Sequence, residues 1–351
     1  MYISLQNLHT HPYSHKPMPK AIILLILYMT PAVLANDIDL GKTEVRGITI
    51  STHGGGRDWG ADAIVPTLED IRDLGANWVS IHPYAGIGAD GSIRWSEIDP
   101  DNPPAHLIRP IQEAHRLGLS ICIKPHIAYW RSPFAWRGEI TFQQDEEWQR
   151  FWRGYREWIV QLAVVCREAD GFVVGTELDR TLYFEAEWRE LIAEVRQHTA
   201  APLTYAANWT DFHRVPFWDA LDVIGIQAYF PLTDEPDYDE QDIRDGWAAQ
   251  MDELRDYADD HNRNILFTEL GYNQSHQAPI EPWDYTVDGE DALPVQVFCM
   301  RAALTAIAAE PRIVGALLWK WFPHPRPVGH NFQLATPPIK RVISEAWLSP
   351  R

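Results

Sequence analysis

Two short stretches of this 351-residue chain share one shape. Gly171-Phe172-Val173-Val174-Gly175-Thr176-Glu177-Leu178-Asp179 runs from apolar and small residues into an acid, and Ile265-Leu266-Phe267-Thr268-Glu269-Leu270-Gly271 does the same. Each reads as a buried parallel strand that delivers one carboxylate at its carboxyl end. Taken singly, either glutamate reads as a structural salt bridge. As a facing pair they would suit acid–base and nucleophilic work on one bond.

Other polar and aromatic residues stand at the ends of apolar runs. His82 follows one, Lys124 and His126 another, and Asn208-Trp209, Tyr229 and Trp319 end three more. Two histidines from different strands and a lysine make a weak metal motif, and sugar-hydroxyl contacts or loop capping explain them more simply. No metal is expected. The loop His53-Gly54-Gly55-Gly56 lacks the Lys-Ser/Thr of a P-loop and the spacing of a dinucleotide fingerprint, so no cofactor is expected either.

The elements that must position these tips alternate regularly. Strands are expected over 45–51, 78–82, 120–124, within the opening stretch 171–179, and over 203–207, 223–228, 265–269 and 314–318. Helices are expected over 63–74, 105–117, 145–168, 186–197, 241–260, 294–310 and 339–346, the first two closed by Gly75 and Gly118. Eight strands, each followed by a helix or a helix-sized gap, predict an α/β fold of the (β/α)8 TIM-barrel type. An open doubly wound sheet is the rival, and it predicts a phosphate-binding turn after strand one that is poorly matched here. Closing the barrel puts every strand's carboxyl end on one face, with the fourth and seventh across its mouth. The stripe Trp148, Trp152, Tyr155 and Trp158 on the third helix reads as core. The Pro- and Trp-containing loop 273–291 is a candidate wall at one end of the cleft.

Bulk composition sets the class. Apolar residues make up 46% and charged residues 23%, which suits a packed core. The net charge of -19 argues against a nucleic-acid partner. The 16 tryptophans suit both core packing and stacking on flat sugar faces. Cys122, Cys166 and Cys299 lie far apart and read as buried free thiols. At the amino terminus, Met18-Pro19-Lys20, the apolar run 21–29 and Val33-Leu34-Ala35 read as a secretory signal expected to be cleaved after Ala35, an uncleaved anchor being the alternative; residues 1–17 are expected to be a disordered leader, or Met18 to be the start. Residues 36–351 are then a single catalytic domain, secreted or periplasmic, with no stable membrane span after cleavage. No feature of the sequence sets an oligomeric state.

Retaining glycoside hydrolysis needs two carboxyl groups roughly 5 to 5.5 Å apart, one giving a proton to the leaving oxygen and the other attacking the anomeric carbon. A tyrosine that donates to the attacking carboxylate favours its ionised form, and Tyr229 is placed for this. The layout of one Glu after strand four and one after strand seven resembles the clan A glycoside hydrolases. Phe172–Leu178, Leu203–Trp209, Trp218-Asp219 and Ile224–Pro231 resemble glycoside hydrolase family 113. The resemblance spans most of 45–323. It implies a retaining β-mannanase acting on β-linked polysaccharide or oligosaccharide, with Glu177 as acid/base, Glu269 as nucleophile and Tyr229 positioning it. It further implies that Trp319 floors the reacting-sugar subsite and that Asn208, Trp209 and His82 line the cleft. Clan A enzymes usually carry Asn before the acid/base, and this chain has Thr176, which puts the sugar's identity in question. A galactan, glucan or xylan hydrolase and a non-catalytic sugar-binding barrel stay open as alternatives.

Overall fold

The computed structural model describes residues 44–52, 54–96, 98–323 and 332–349. The expected leader and signal peptide, residues 1–35, and His53 lie outside the described residues. Residues 38–351 cluster as one compact unit.

In chain order the elements are β1 (Val45–Ile50), α1 (Ile64–Asp73), β2 (Trp78–Ile81), β3 (Tyr84–Ile87), β4 (Ile93–Arg94), α2 (Ala105–Arg116), β5 (Ser120–Ile123) and β6 (His126–Ala128). Then come α3 (Asp145–Val165), β7 (Gly171–Thr176), α4 (Glu185–Val195), β8 (Leu203–Asn208), β9 (Ile224–Gln227), α5 (Glu240–Asp260), β10 (Ile265–Leu270), α6 (Leu293–Ala309), β11 (Ile313–Trp321) and α7 (Pro337–Leu348). Strands β1, β2, β5, β7, β8, β9, β10 and β11 close into one barrel of eight strands, with β11 pairing back onto β1. Each pairing in it is parallel. The expected (β/α)8 barrel is the observed fold.

Two local departures have sequence causes. Between β8 and β9 the helix-sized gap holds two 3-10 turns, Phe212–Arg214 and Trp218–Ala220, separated by Pro216 and closed by Trp218 Nε1 donating to the Phe212 carbonyl at 3.1 Å. The second departure was not anticipated. Beyond β2 and β5 the chain forms a separate three-stranded sheet, β4-β3-β6. Pro83 and Pro125 stand where the barrel strands end, and proline has no N–H to continue a ladder. Pairing resumes after them, with Tyr84 opposite His126 and the His126 N–H donating to the Pro83 carbonyl at 2.8 Å. This small sheet is what holds His126 beside the barrel mouth.

The barrel interior is filled by one apolar cluster that includes Val45, Trp78, Cys122, Val173, Ala206, Leu266 and Leu317. A larger cluster fills the space between sheet and helices. The aromatic stripe of α3 belongs to it: Trp148, Trp152, Tyr155 and Trp158 are all buried. Tyr155 Oη donates to the Val174 carbonyl at 2.8 Å, so α3 grips β7 directly. A Cβ at Gly175 would lie 2.5 Å from Trp188 and 2.9 Å from Tyr155 Oη, so only glycine lets both rings close on the strand that carries Glu177. Each such buried ring contributes roughly 2–3 kcal/mol.

The three cysteines are free and buried, and burial pushes the Cys122 and Cys166 thiols up to about 12. One stretch among the described residues, Glu290–Ala309, is long and apolar enough to cross a membrane by length and composition. Here α6 packs against α5, α7 and β11, as a core-covering helix does.

Candidate active site

The two strands that opened the sequence reading end on the same face. At the tip of β7, the Glu177 N–H donates to the Ala206 carbonyl at 2.9 Å, and the Leu178 N–H donates to Tyr205 Oη at 2.7 Å. Between these anchors Glu177 takes φ +50°, a left-handed conformation that costs a non-glycine residue on the order of 1–2 kcal/mol. The neighbouring strand therefore holds Glu177 in a turn it would not adopt alone. Burial pushes its carboxyl up, as does the negative charge of Glu269; Arg137 and Lys124 oppose the rise. Both carboxylates stand at the carboxyl ends of strands in one parallel barrel.

At the tip of β10, Glu269 is buried and accepts from two strong donors. Lys124 Nζ donates to its Oε1 at 2.5 Å and Tyr229 Oη to its Oε2 at 2.9 Å. The two acceptor oxygens are thereby fixed by groups from β5 and from the segment after β9. Lys124 also donates to the Thr268 carbonyl at 2.9 Å. Burial lowers the lysine's pKa, and the Glu269 charge opposes that shift.

His126 Nε2 lies 3.4 Å from Glu269 Oε1. Burial first, then nearby cations, hold the His126 and His82 imidazoles well below the usual range, so both are neutral. His82 is fully buried, and neither ring nitrogen has a hydrogen-bond partner among the described residues. Its ring lies 5.0 Å from those of Tyr84, His126 and Trp319. Trp319, at the tip of β11, stacks on His126 at 5.8 Å and carries Lys124 Nζ 4.9 Å from its centroid. These residues form one constellation with Glu269.

Thr176, Asn208 and Trp209 stand on the β7 and β8 side. Thr176 is buried and its hydroxyl donates to the Pro125 carbonyl at 3.0 Å, so its proton serves the scaffold and only its lone pairs are open to a ligand. Asn208 Nδ2 lies 3.5 Å from Asp179 Oδ2. Burial, then the charges of Asp211 and Glu177, push the Asp179 carboxyl up to about 8. Trp209 stacks on Trp283 at 5.3 Å with 18° between planes, and Trp283 is 41% exposed.

Several residues near the site were not singled out as candidates from the sequence, although Lys320 stands in the Trp319-Lys320-Trp321 tip and Tyr285 in the long loop. Arg137, from the loop after β6, donates from Nη1 to Glu177 Oε2 at 2.7 Å, and from Nε to the Ile127 carbonyl at 3.3 Å. It lies in no periodic element and after no apolar strand. Lys320 follows Trp319, with its amine 5.0 Å from the Trp319 centroid, and burial lowers it to about 8. Tyr285, in the long loop after β10, feels the charges of Arg137, Glu177 and Glu269, and its ring lies 5.7 Å from Phe332. Asn273 anchors that loop by accepting from the Phe332 N–H at 2.6 Å and donating to the Asp284 carbonyl. The loop thus borders the cleft through Tyr285 and Trp283.

No three His, Cys, Asp or Glu side chains among the described residues converge as metal ligands. A cavity of about 860 Å³ lies on the barrel's flank between α3 and α4, lined by Trp148, Trp152, Arg153, Arg156 and Glu190 among others. No strand-tip residue borders it, so it lies apart from the two glutamates.

A closed eight-stranded barrel that sets two glutamates on its carboxyl-terminal face, amid aromatic rings and neutral imidazoles, defines the class: a glycoside hydrolase built on a (β/α)8 scaffold. Comparison with known proteins narrows the class. The model of Glycoside Hydrolase Family 113 matches residues 48–330, and the chain belongs to that family. Among solved structures it is similar to the GH113 β-mannanase AaManA from Alicyclobacillus acidocaldarius in complex with ManMIm, at 27% identity and a TM-score of 0.76, over 89% of this chain and 99% of that one. A GH113 β-1,4-mannanase complex matches at 22% identity and 0.76, over 88% and 100%. A family 5 mannosidase from Rhizomucor miehei, at 13% identity and 0.58 over 87% and 92%, shares the fold. No curated protein matches the sequence.

Proposed function

We propose that this glycoside hydrolase is a retaining β-mannanase that cleaves β-1,4-mannosidic bonds within mannan-type chains. Glu177 protonates the leaving oxygen while Glu269 attacks the anomeric carbon, forming a glycosyl-enzyme and breaking the glycosidic bond. Glu177, now a carboxylate, takes a proton from water as that water displaces Glu269. The observation that carries the reading is the asymmetry between the two acids. Glu269 is immobilised through both oxygens by Lys124 and Tyr229, as an attacking group must be, while burial favours the protonated form of Glu177. Trp319 would floor the reacting-sugar subsite, and His82, His126, Thr176, Asn208 and Trp209 would contact sugar hydroxyls or faces. The mannan preference is supported by the similarity to family 113 β-mannanases.

The test is hydrolysis of a panel of β-mannan, galactan, glucan and xylan, with product anomers followed by NMR. Release of β-anomeric products from mannan is expected. Release only from another glycan would replace the substrate, and binding without turnover on every glycan would make the protein a sugar-binding barrel. Export to the periplasm or medium rests on the composition of residues 18–35. Amino-terminal sequencing of the exported protein should begin at Asn36, and an intact chain retained in the cytoplasm would count against export.

A further inference from the structure

An acid that must give up a proton is poorly served by an arginine at its oxygen, because a guanidinium favours the carboxylate form. Yet Arg137 Nη1 lies 2.7 Å from Glu177 Oε2, in a pair whose side chains are 11% and 16% exposed. The arginine reaches the site from a 3-10 turn, Arg137–Glu139, in the loop between β6 and α3. Its attachments there are slight: one Nε contact of 3.3 Å to the Ile127 carbonyl and a guanidinium 5.6 Å from the Tyr129 centroid. Lys124, by contrast, is locked by two bonds to Glu269 and the Thr268 carbonyl. One cation is built into the floor of the site, and the other is hung from a loop over the acid that must change protonation state twice in each cycle.

We infer that Arg137 is a positioning residue for Glu177, a latch that draws it toward the carboxylate form in the free enzyme and releases it when the leaving sugar fills the space beside it. On release the protonated form that burial favours is no longer opposed at that oxygen, any remaining carboxylate takes one proton from solvent, and Glu177 can pass its proton to the glycosidic oxygen. When that sugar departs, the latch closes on a Glu177 that is again a carboxylate, the form that activates water in the second half of the cycle. The inference rests on the assignment of Glu177 as acid/base. Four charged groups bear on this carboxyl: Arg137 from the loop, Lys124 from β5, Glu269 from β10 and Asp179 two residues on. The hydroxyls of Tyr205, Tyr229 and Tyr285 also feel its charge; Tyr205 and Tyr229 are buried, and burial raises both. Of the cations among the described residues, only Arg137 touches Glu177.

The test compares pH profiles of the wild type with Arg137→Gln and Arg137→Lys on an unactivated manno-oligosaccharide, or on the glycan that the panel identifies. The basic limb of kcat/KM reports the free enzyme and that of kcat the substrate complex. In Arg137→Gln the kcat/KM limb should move to higher pH by about one to three units, while the kcat limb stays in place. Arg137→Lys, which keeps a cation at shorter reach, should move it less. An unmoved kcat/KM limb, or an equal movement of both limbs, would overturn the latch. Circular dichroism and melting curves establish that the variants fold, and Arg137→Lys carries the test if Arg137→Gln does not fold. Glu177→Ala separates the two levels of inference. Undiminished turnover of the oligosaccharide there would remove the acid/base assignment itself. Loss of turnover in Glu177→Ala with unmoved limbs in the Arg137 variants would remove the latch alone.

Discussion

Lys124 at the tip of β5 and Glu269 at the tip of β10 meet at 2.5 Å, with the lysine side chain fully buried. The two residues are far apart in sequence and lie on strands that are not neighbours in the barrel. A buried pair of this kind contributes little net stability, since desolvating both ions offsets their attraction, but breaking it strands one charge. Lys124→Met should therefore destabilise the fold by roughly 3–5 kcal/mol and lower kcat, because Glu269 loses the donor on one oxygen. Thermal denaturation and steady-state kinetics check this. A variant with wild-type melting temperature and kcat would show that the contact orients nothing.

Glu269→Ala should lose activity by on the order of a thousandfold or more on any substrate, as removal of a nucleophile does. Added azide should restore turnover of an activated aryl β-mannoside and yield the α-glycosyl azide. A β-configured azide, or rescue confined to Glu177→Ala, would exchange or remove the roles.

Asp179 is 5% exposed and its carboxyl is pushed up to about 8, chiefly by burial. Its folded pKa lies above its unfolded value near 4, so the folded state binds the extra proton between them. Stability from this group is fully present below about pH 4 and is lost as pH rises through about 8. Asp179→Asn removes that dependence. Its unfolding free energy relative to wild type, read from denaturation at each pH, should climb between pH 5 and pH 8 by about a few kcal/mol in total. Parallel curves across that window would contradict the burial argument.

Trp209 and Trp283 present a stacked pair of rings in the cleft, one from the β8 tip and one from the long loop. Trp283→Ala should raise KM about fivefold, the equivalent of ~1 kcal/mol of stacking, and leave kcat within about twofold. Kinetics on long and short oligosaccharides would measure it. Equal loss on every chain length, carried by kcat, would place Trp283 at the reacting sugar instead.

The sequence by itself determined the barrel, because period and punctuation act locally. Apolar runs of strand length, each ending in a polar or aromatic residue, already set eight tips on one face. Glu177, Tyr229, Glu269 and Trp319 were legible for that reason, since each follows such a run. The tertiary structure alone decided what those tips touch. Nothing local to Lys124 points to Glu269, a contact that exists because the barrel closes. Nothing local to Thr176 shows that its hydroxyl donates to the Pro125 carbonyl, a bond that likewise exists because the barrel closes. The small sheet beyond Pro83 and Pro125 needed two distant strand ends to meet. Arg137 lies in a loop without period, and its bond to Glu177 depends on how that loop returns over the mouth. Periodicity reports which way a side chain faces within its own element; which charge it meets is set by elements far along the chain.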